Sequence, residues 1–176
     1  TLNRYNVKLI SSGGTFKAIR KLGFRCLEVS DYTGFNEILD GRVKTLHPKI
    51  HAGILNKRNN NSHKREIKKN NFQNIDLVIV NFYPFEKTLN TTKDYNKIIE
   101  KIDIGGPALV RSAAKNYNDV TVITSTNQYS ALIDQLKRFK GATKLEFRKK
   151  LSQSAFNETA YYLSLIHISE PTRRTD

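Results

Sequence analysis

The feature that most constrains the fold is the run Ile75-Asp76-Leu77-Val78-Ile79-Val80, nearly unbroken in apolar side chains. A strand with one wet face alternates apolar and polar residues, whereas a strand covered on both faces reads as a continuous apolar run. Covering both faces takes helices on two sides, the arrangement of an α/β protein. The rest of the chain supplies further strands at about 6–10, 25–29 and 120–124. Helices are expected at about 16–22, with Phe16, Ile19 and Leu22 inward, and at 63–69, capped by Ser62. More are expected at 92–101, 108–116 after Pro107, 128–139, and from the capping box Thr143-Lys144-Leu145-Glu146 to about Tyr162. This alternation predicts a doubly wound, mainly parallel sheet flanked by helices.

With 176 residues the chain is one domain by length and can bury a real core. No apolar run reaches the ~20 residues that cross a bilayer, and no signal peptide opens the sequence, so no membrane partner is expected. The single Cys26 rules out an internal disulfide and a cysteine zinc cluster, and it suits a reducing, cytoplasmic setting. A net charge of +14 permits an anionic partner. Lys and Asn are spread along the whole chain, and no nucleic-acid motif accompanies them, so no nucleic acid is expected.

Three places concentrate chemistry. The first is Ser11-Ser12-Gly13-Gly14-Thr15, between a strand and a helix start, where unpaired backbone N–H groups and the positive helix end suit an anion; it reads equally as a plain turn. The second runs from Asp40 to His51 and holds Arg42, Lys44, Thr45, His47, Pro48 and His51 with only three aliphatic residues. It follows no helix or strand period, and Arg42, Lys44 and Thr45 together would clamp a phosphate or a developing oxyanion. A solvated basic loop is the alternative. His47 and His51 have the spacing of helical zinc ligands, but Pro48 lies between them and no Glu follows His47, so no metal is expected. The third place is the carboxyl end of the apolar run, where Asn81 and Tyr83 stand where open α/β sheets gather ligands. Asp103, just before Gly105-Gly106-Pro107, and Lys115, four residues after Arg111, complete the candidates.

Taken together these segments resemble the inosine monophosphate cyclohydrolase domain of the bifunctional purine-biosynthesis family, whose other half is AICAR transformylase. The matching stretches are 12–15, 30–35, 40–48, Asn81 with 83–85, 102–107 and 111–116, and 155–160 fits the family's last helix. The resemblance implies a methylglyoxal-synthase-like fold and closure of the purine ring. In that reaction the carboxamide nitrogen of 5-formamido-imidazole-4-carboxamide ribotide attacks the formyl carbon and water leaves, with no metal or organic cofactor.

By this resemblance Ser12, Gly13, Gly14 and Thr15, with Arg42, Val43, Lys44 and Thr45, hold the phosphate and its neighbouring atoms. Lys44 also meets the oxyanion. Tyr83 and Asp103 orient or deprotonate the amide, and Lys115 shuttles the proton that lets hydroxide leave as water. Val80, Asn81, Ile104 and Gly105 line the base. The family pattern further implies a homodimer, a C-terminal transformylase domain, and a further N-terminal strand with a Ser-Asp-Lys loop. The expected division is thus a cyclohydrolase domain over 1–163 lacking its first strand, and a non-native tail over 164–176, where the helical pattern stops. A regulatory anion-binding module of the same fold would need the phosphate cradle without Tyr83, Asp103 and Lys115 together. A methylglyoxal synthase would need a carboxylate base within the cradle's own motifs.

Overall fold

A computed structural model describes residues 1–82, 91 and 94–169. The expected apolar run becomes β3 (Leu77–Ile79), parallel to β4 (Thr121–Ile123) in the register Leu77↔Thr121, Val78↔Val122 and Ile79↔Ile123. Ladder bonds extend the pairing at both ends, from the Val80 N–H to the Ile123 carbonyl and from the Thr121 N–H to the Asp76 carbonyl. β4 is buried along its whole length. β3 is not: Val78 faces the core, while Ile79 is 39% exposed, so the expectation of cover on both faces holds for β4 and not for β3.

Between these strands lie α5 (Tyr95–Ile99) and α6 (Gly105–Lys115), and β4 leads into α7 (Tyr129–Arg138) and α8 (Leu145–Ser169). α6 packs on α8, on both strands and on α3 (Pro48–Leu55). Its inward positions, Val110, Ala113 and Ala114, are fully buried. The two alanines let the neighbouring helix come close, and the Ser152 hydroxyl on α8 donates to the Ala114 carbonyl at 2.8 Å. Ile54, Val120, Leu132, Leu136, Leu151 and Ala155 close the same core.

The first part of the chain forms its own parallel pair, β1 (Ile10–Ser11) with β2 (Leu27–Glu28), crossed over by α1 (Gly13–Lys21) and followed by α2 (Val29–Thr33). The two pairs share no ladder among the described residues. Instead a cavity of about 830 Å³ is lined by Ile10 and Ser11 from β1 and by Leu77, Val78 and Val80 from the β3 segment.

Several local expectations are corrected. Leu22 does not join an apolar face of α1 but is 72% exposed. Helix α4 (Asn61–Lys69) is capped by Asn60, whose carboxamide oxygen accepts from the Ser62 and His63 N–H groups, so Ser62 lies inside the helix. α6 begins two residues ahead of Pro107. α8 runs beyond Tyr162 to Ser169, because Tyr162, Leu165 and Ile166 continue the three-and-four spacing and pack with Ile98. The helical pattern therefore does not stop at 163; residues 170–176 lie outside the described residues.

Candidate functional site

Ser12 is the N-cap of α1 in extended conformation, and its side chain makes no capping bond. No acidic residue occupies the first turn, so no side chain of α1 itself offsets its positive end. Gly13 sits at φ +55, a conformation L side chains rarely adopt, and a methyl group on either Gly13 or Gly14 would meet nothing within 4 Å. These glycines are not spaces filled by the protein's own packing; open volume lies in front of them.

The central loop turns back on itself through a backbone pairing of Ile38 with Val43. Its tip takes three consecutive left-handed residues, Leu39, Asp40 and Gly41. The returning arm carries Arg42, Val43, Lys44 and Thr45. Arg42 reaches Glu100 at 2.9 Å, with both side chains about 60% exposed, and Lys44 stands 3.6 Å from Glu37. The two cations thus answer to different carboxylates. Thr45 turns toward α6: a Cβ on Gly105 would lie 2.6 Å from its Oγ1, closer than real contacts allow, so the missing side chain makes room for this hydroxyl.

At the same end of α6, the Gly106 N–H donates to Asp103 Oδ1 at 2.8 Å, and a side chain on Gly106 would collide with Asp103 Oδ2. Asp103 is therefore held against the helix start, while Ile104 is exposed beside it. Lys115 closes the same helix at its other end. α6 spans Gly105 to Lys115, which at the usual rise separates its ends by about 15 Å.

Past β3, the Asn81 side-chain NH₂ donates to the Tyr129 hydroxyl at 3.0 Å, and Phe82 stacks on Tyr162 with ring centroids 5.0 Å apart. Tyr83 lies outside the described residues. Ser12, Thr15, Thr45 and Val80, from three separate segments, line the one cavity.

The two histidines have structural partners. His47 Nδ1 accepts from the Lys49 N–H as the cap of α3, with Pro48 in its first turn. His51 Nδ1 bonds the Ser112 hydroxyl on α6 at 3.0 Å, and burial lowers its pKa. No group of metal-ligating side chains forms among the described residues, and no described helix is long and apolar enough to cross a membrane. Sequence reasoning missed Glu37, Glu100, Tyr129 and Tyr162 as neighbours of the site. Arg42–Glu100, Asn81–Tyr129 and Asp103–Tyr162 join residues 58, 48 and 59 apart, and no local pattern encodes such pairs.

The family described as "MGS-like domain" matches residues 1–108, and the "AICARFT/IMPCHase bienzyme" family matches residues 113–170. The "Bifunctional purine biosynthesis protein PurH" of Prochlorococcus marinus is 52% identical over 162 residues, covering 92% of this chain and 31% of that protein. The protein of the same description from Dinoroseobacter shibae is 49% identical over 156 residues, covering 89% of this chain and 30% of its own length. The chain thus spans roughly a third of the curated relatives it matches. The solved structure described as "Crystal structure of ForH" superposes with a TM-score of 0.85 at 29% identity, over 97% of this chain and 89% of that one. The parallel pairs with their crossover helices, the glycine turn opening α1 and a match to residues 1–108 agree: the chain belongs to the MGS-like domain family.

Proposed function

We propose that this chain is an inosine monophosphate cyclohydrolase domain acting in purine biosynthesis. The observation that carries the reading is the convergence of Ser12, Thr15, Thr45 and Val80 on one cavity, with Asp103 fixed at the helix end that Thr45 touches. The substrate phosphate sits at Ser12, Gly13, Gly14 and Thr15 and recruits Arg42, Lys44 and Thr45. Glu100 and Glu37 must then release the two cations. Exposed ion pairs contribute only about 0–1 kcal/mol, so a dianionic phosphate displaces them readily.

Val80, Asn81, Ile104 and Gly105 border the base. The carboxamide nitrogen adds to the formyl carbon, and the formyl oxygen takes up negative charge beside Lys44. Tyr83 with Asp103 accepts the amide proton. The oxyanion is protonated to a hydroxyl, and a second protonation lets it depart as water while the former formamido nitrogen gives up its N–H proton, leaving the aromatic pyrimidinone ring. Lys115 shuttles the proton that lets the hydroxyl leave as water. In the longer protein the domain acts beside a C-terminal transformylase domain, as a homodimer in the cytoplasm. The resemblance also implies a further strand, and we place it between β1 and β3, where the cavity separates two parallel pairs with unfilled edges.

The test is an absorbance assay of ring closure on the formamido ribotide, with calorimetric titration of inosine monophosphate. A chain supplied with the further strand should bind the nucleotide at least tenfold more tightly than the chain of 176 residues, the effect of a few charge-assisted hydrogen bonds. Equal affinities would show that the phosphate lies elsewhere. Absence of ring closure in both would remove the cyclohydrolase reading.

A further inference from the structure

Tyr162 sits on α8, outside the groups assigned above, and is only 3% exposed. Its hydroxyl accepts the backbone N–H of Asp103 at 2.7 Å. Its ring lies against Phe82 at 5.0 Å, the residue that follows Asn81 past the end of β3. Ile98 and Ile102 pack in the same cluster, so the ring is enclosed by the segments that lead into Asp103. A hydroxyl in this setting is costly to bury without a partner, and burial raises its pKa, which keeps it protonated. Asp103 is therefore fixed from two sides. The Gly106 N–H holds one carboxylate oxygen, and the Tyr162 hydroxyl holds the backbone from which that carboxylate projects.

We propose that Tyr162 is a positioning residue for ring closure, clamping Asp103 to the carboxyl end of β3 through one hydrogen bond and one ring contact. It touches no substrate and moves no proton. Catalytic groups must be held within fractions of an ångström by surrounding bonds, and Tyr162 is the described side chain that contacts both the Asp103 backbone and the segment beyond β3. The inference rests on the cyclohydrolase reading for its kinetic consequence, while the clamp itself is a matter of structure.

Tyr162→Phe removes the hydroxyl and keeps the ring. In the active protein it should lower kcat about five- to tenfold, the loss expected when one neutral hydrogen bond supports the transition state, and leave KM within about twofold. Nucleotide-binding stoichiometry reports the folded fraction, so simple loss of protein is separated from loss of turnover. In an Asp103→Asn background the same change should cost less than about twofold, because a residue that acts through Asp103 has nothing left to position. Equal losses in both backgrounds would overturn the proposal. Hydrogen exchange gives an independent readout: the Asp103 amide should exchange at least tenfold faster in Tyr162→Phe, with the Ala113 and Ala114 amides unchanged. Unchanged exchange at Asp103 refutes the clamp even if ring closure is absent from the wild type, an outcome that would count against the cyclohydrolase reading alone.

Discussion

Around β4 every strand residue is buried, α6 and α8 pack on the strand, and Val110, Ala113 and Ala114 have no exposed surface. Around β1, by contrast, α1 buries no residue, and Leu22, Phe24 and Leu27 face solvent. The two regions also carry different chemistry. The dense half holds Asp103 by two bonds. The sparse half has the start of α1 without a side-chain cap and open space before its glycines. On the proposed function, geometry that must not change is built into the core, and donors that wait for a ligand are left where the core thins out.

The largest effect expected from this division is at Lys44, on the loop that joins the halves. If it meets charge that develops only in the transition state, Lys44→Ala lowers turnover by about 10²–10³ with much less effect on substrate affinity. Steady-state kinetics decide it; near-normal turnover in the variant would take Lys44 out of the reaction.

Two glycine substitutions sharpen the contrast. Gly106→Ala drives a methyl group into Asp103 in the dense half, so it should cost about 2–4 kcal/mol in stability as well as most of the activity. Gly14→Ala puts the same methyl group into open space within a helix. There it should leave stability equal or raise it by up to about 1 kcal/mol, while nucleotide affinity falls because the anion needs that space. Denaturant unfolding and calorimetry separate the two outcomes. A destabilised Gly14→Ala protein with unchanged affinity would break the comparison.

The same contrast marks how far the sequence could be read. The parallel α/β plan follows from residues 75–80 and the helices around them, since two-sided burial and helical spacing are local signals. Glycine carries a backbone meaning at Gly13-Gly14 and Gly105-Gly106, which marks both places in the sequence, but both helices begin earlier than the sequence suggests, at Gly13 and Gly105. Extent was harder. The Leu165 and Ile166 spacing is short, and only its packing on Ile98, far away in sequence, makes it part of the helix. The carboxylate facing Arg42 and the tyrosines holding Asn81 and Asp103 are set by tertiary approach, which no local pattern records.

Truncation after Leu163 tests the corrected extent of α8. It removes Leu165 and Ile166 from the cluster with Ile98 and Tyr162. For two partly buried apolar side chains the loss is about 1–2 kcal/mol, or roughly 2–5 °C in Tm for a chain of this size. A truncated protein that melts with the full chain would restore the boundary at 163.

The smallest expected effect is a pH dependence at the seam between the halves. His51 lies on α3, just beyond the cation-bearing loop, and its Nδ1 meets Ser112 on α6, while its Nε2 is buried with no partner among the described residues. Burial disfavours the imidazolium, so the folded-state pKa lies below the ordinary 6.5. Below pH 6.5 the unfolded chain takes up this proton more readily than the folded one, so stability falls as pH drops through that value toward the folded pKa. The ring is only partly buried, which tempers the effect. His51→Gln keeps a neutral polar side chain and removes the titration. The fall in Tm between pH 7.5 and 5.5 should therefore be about 2 °C smaller in the variant than in the wild type. Identical slopes would mean that His51 reaches water at the seam, and that α3 and α6 are joined there less tightly than the dense half is within itself.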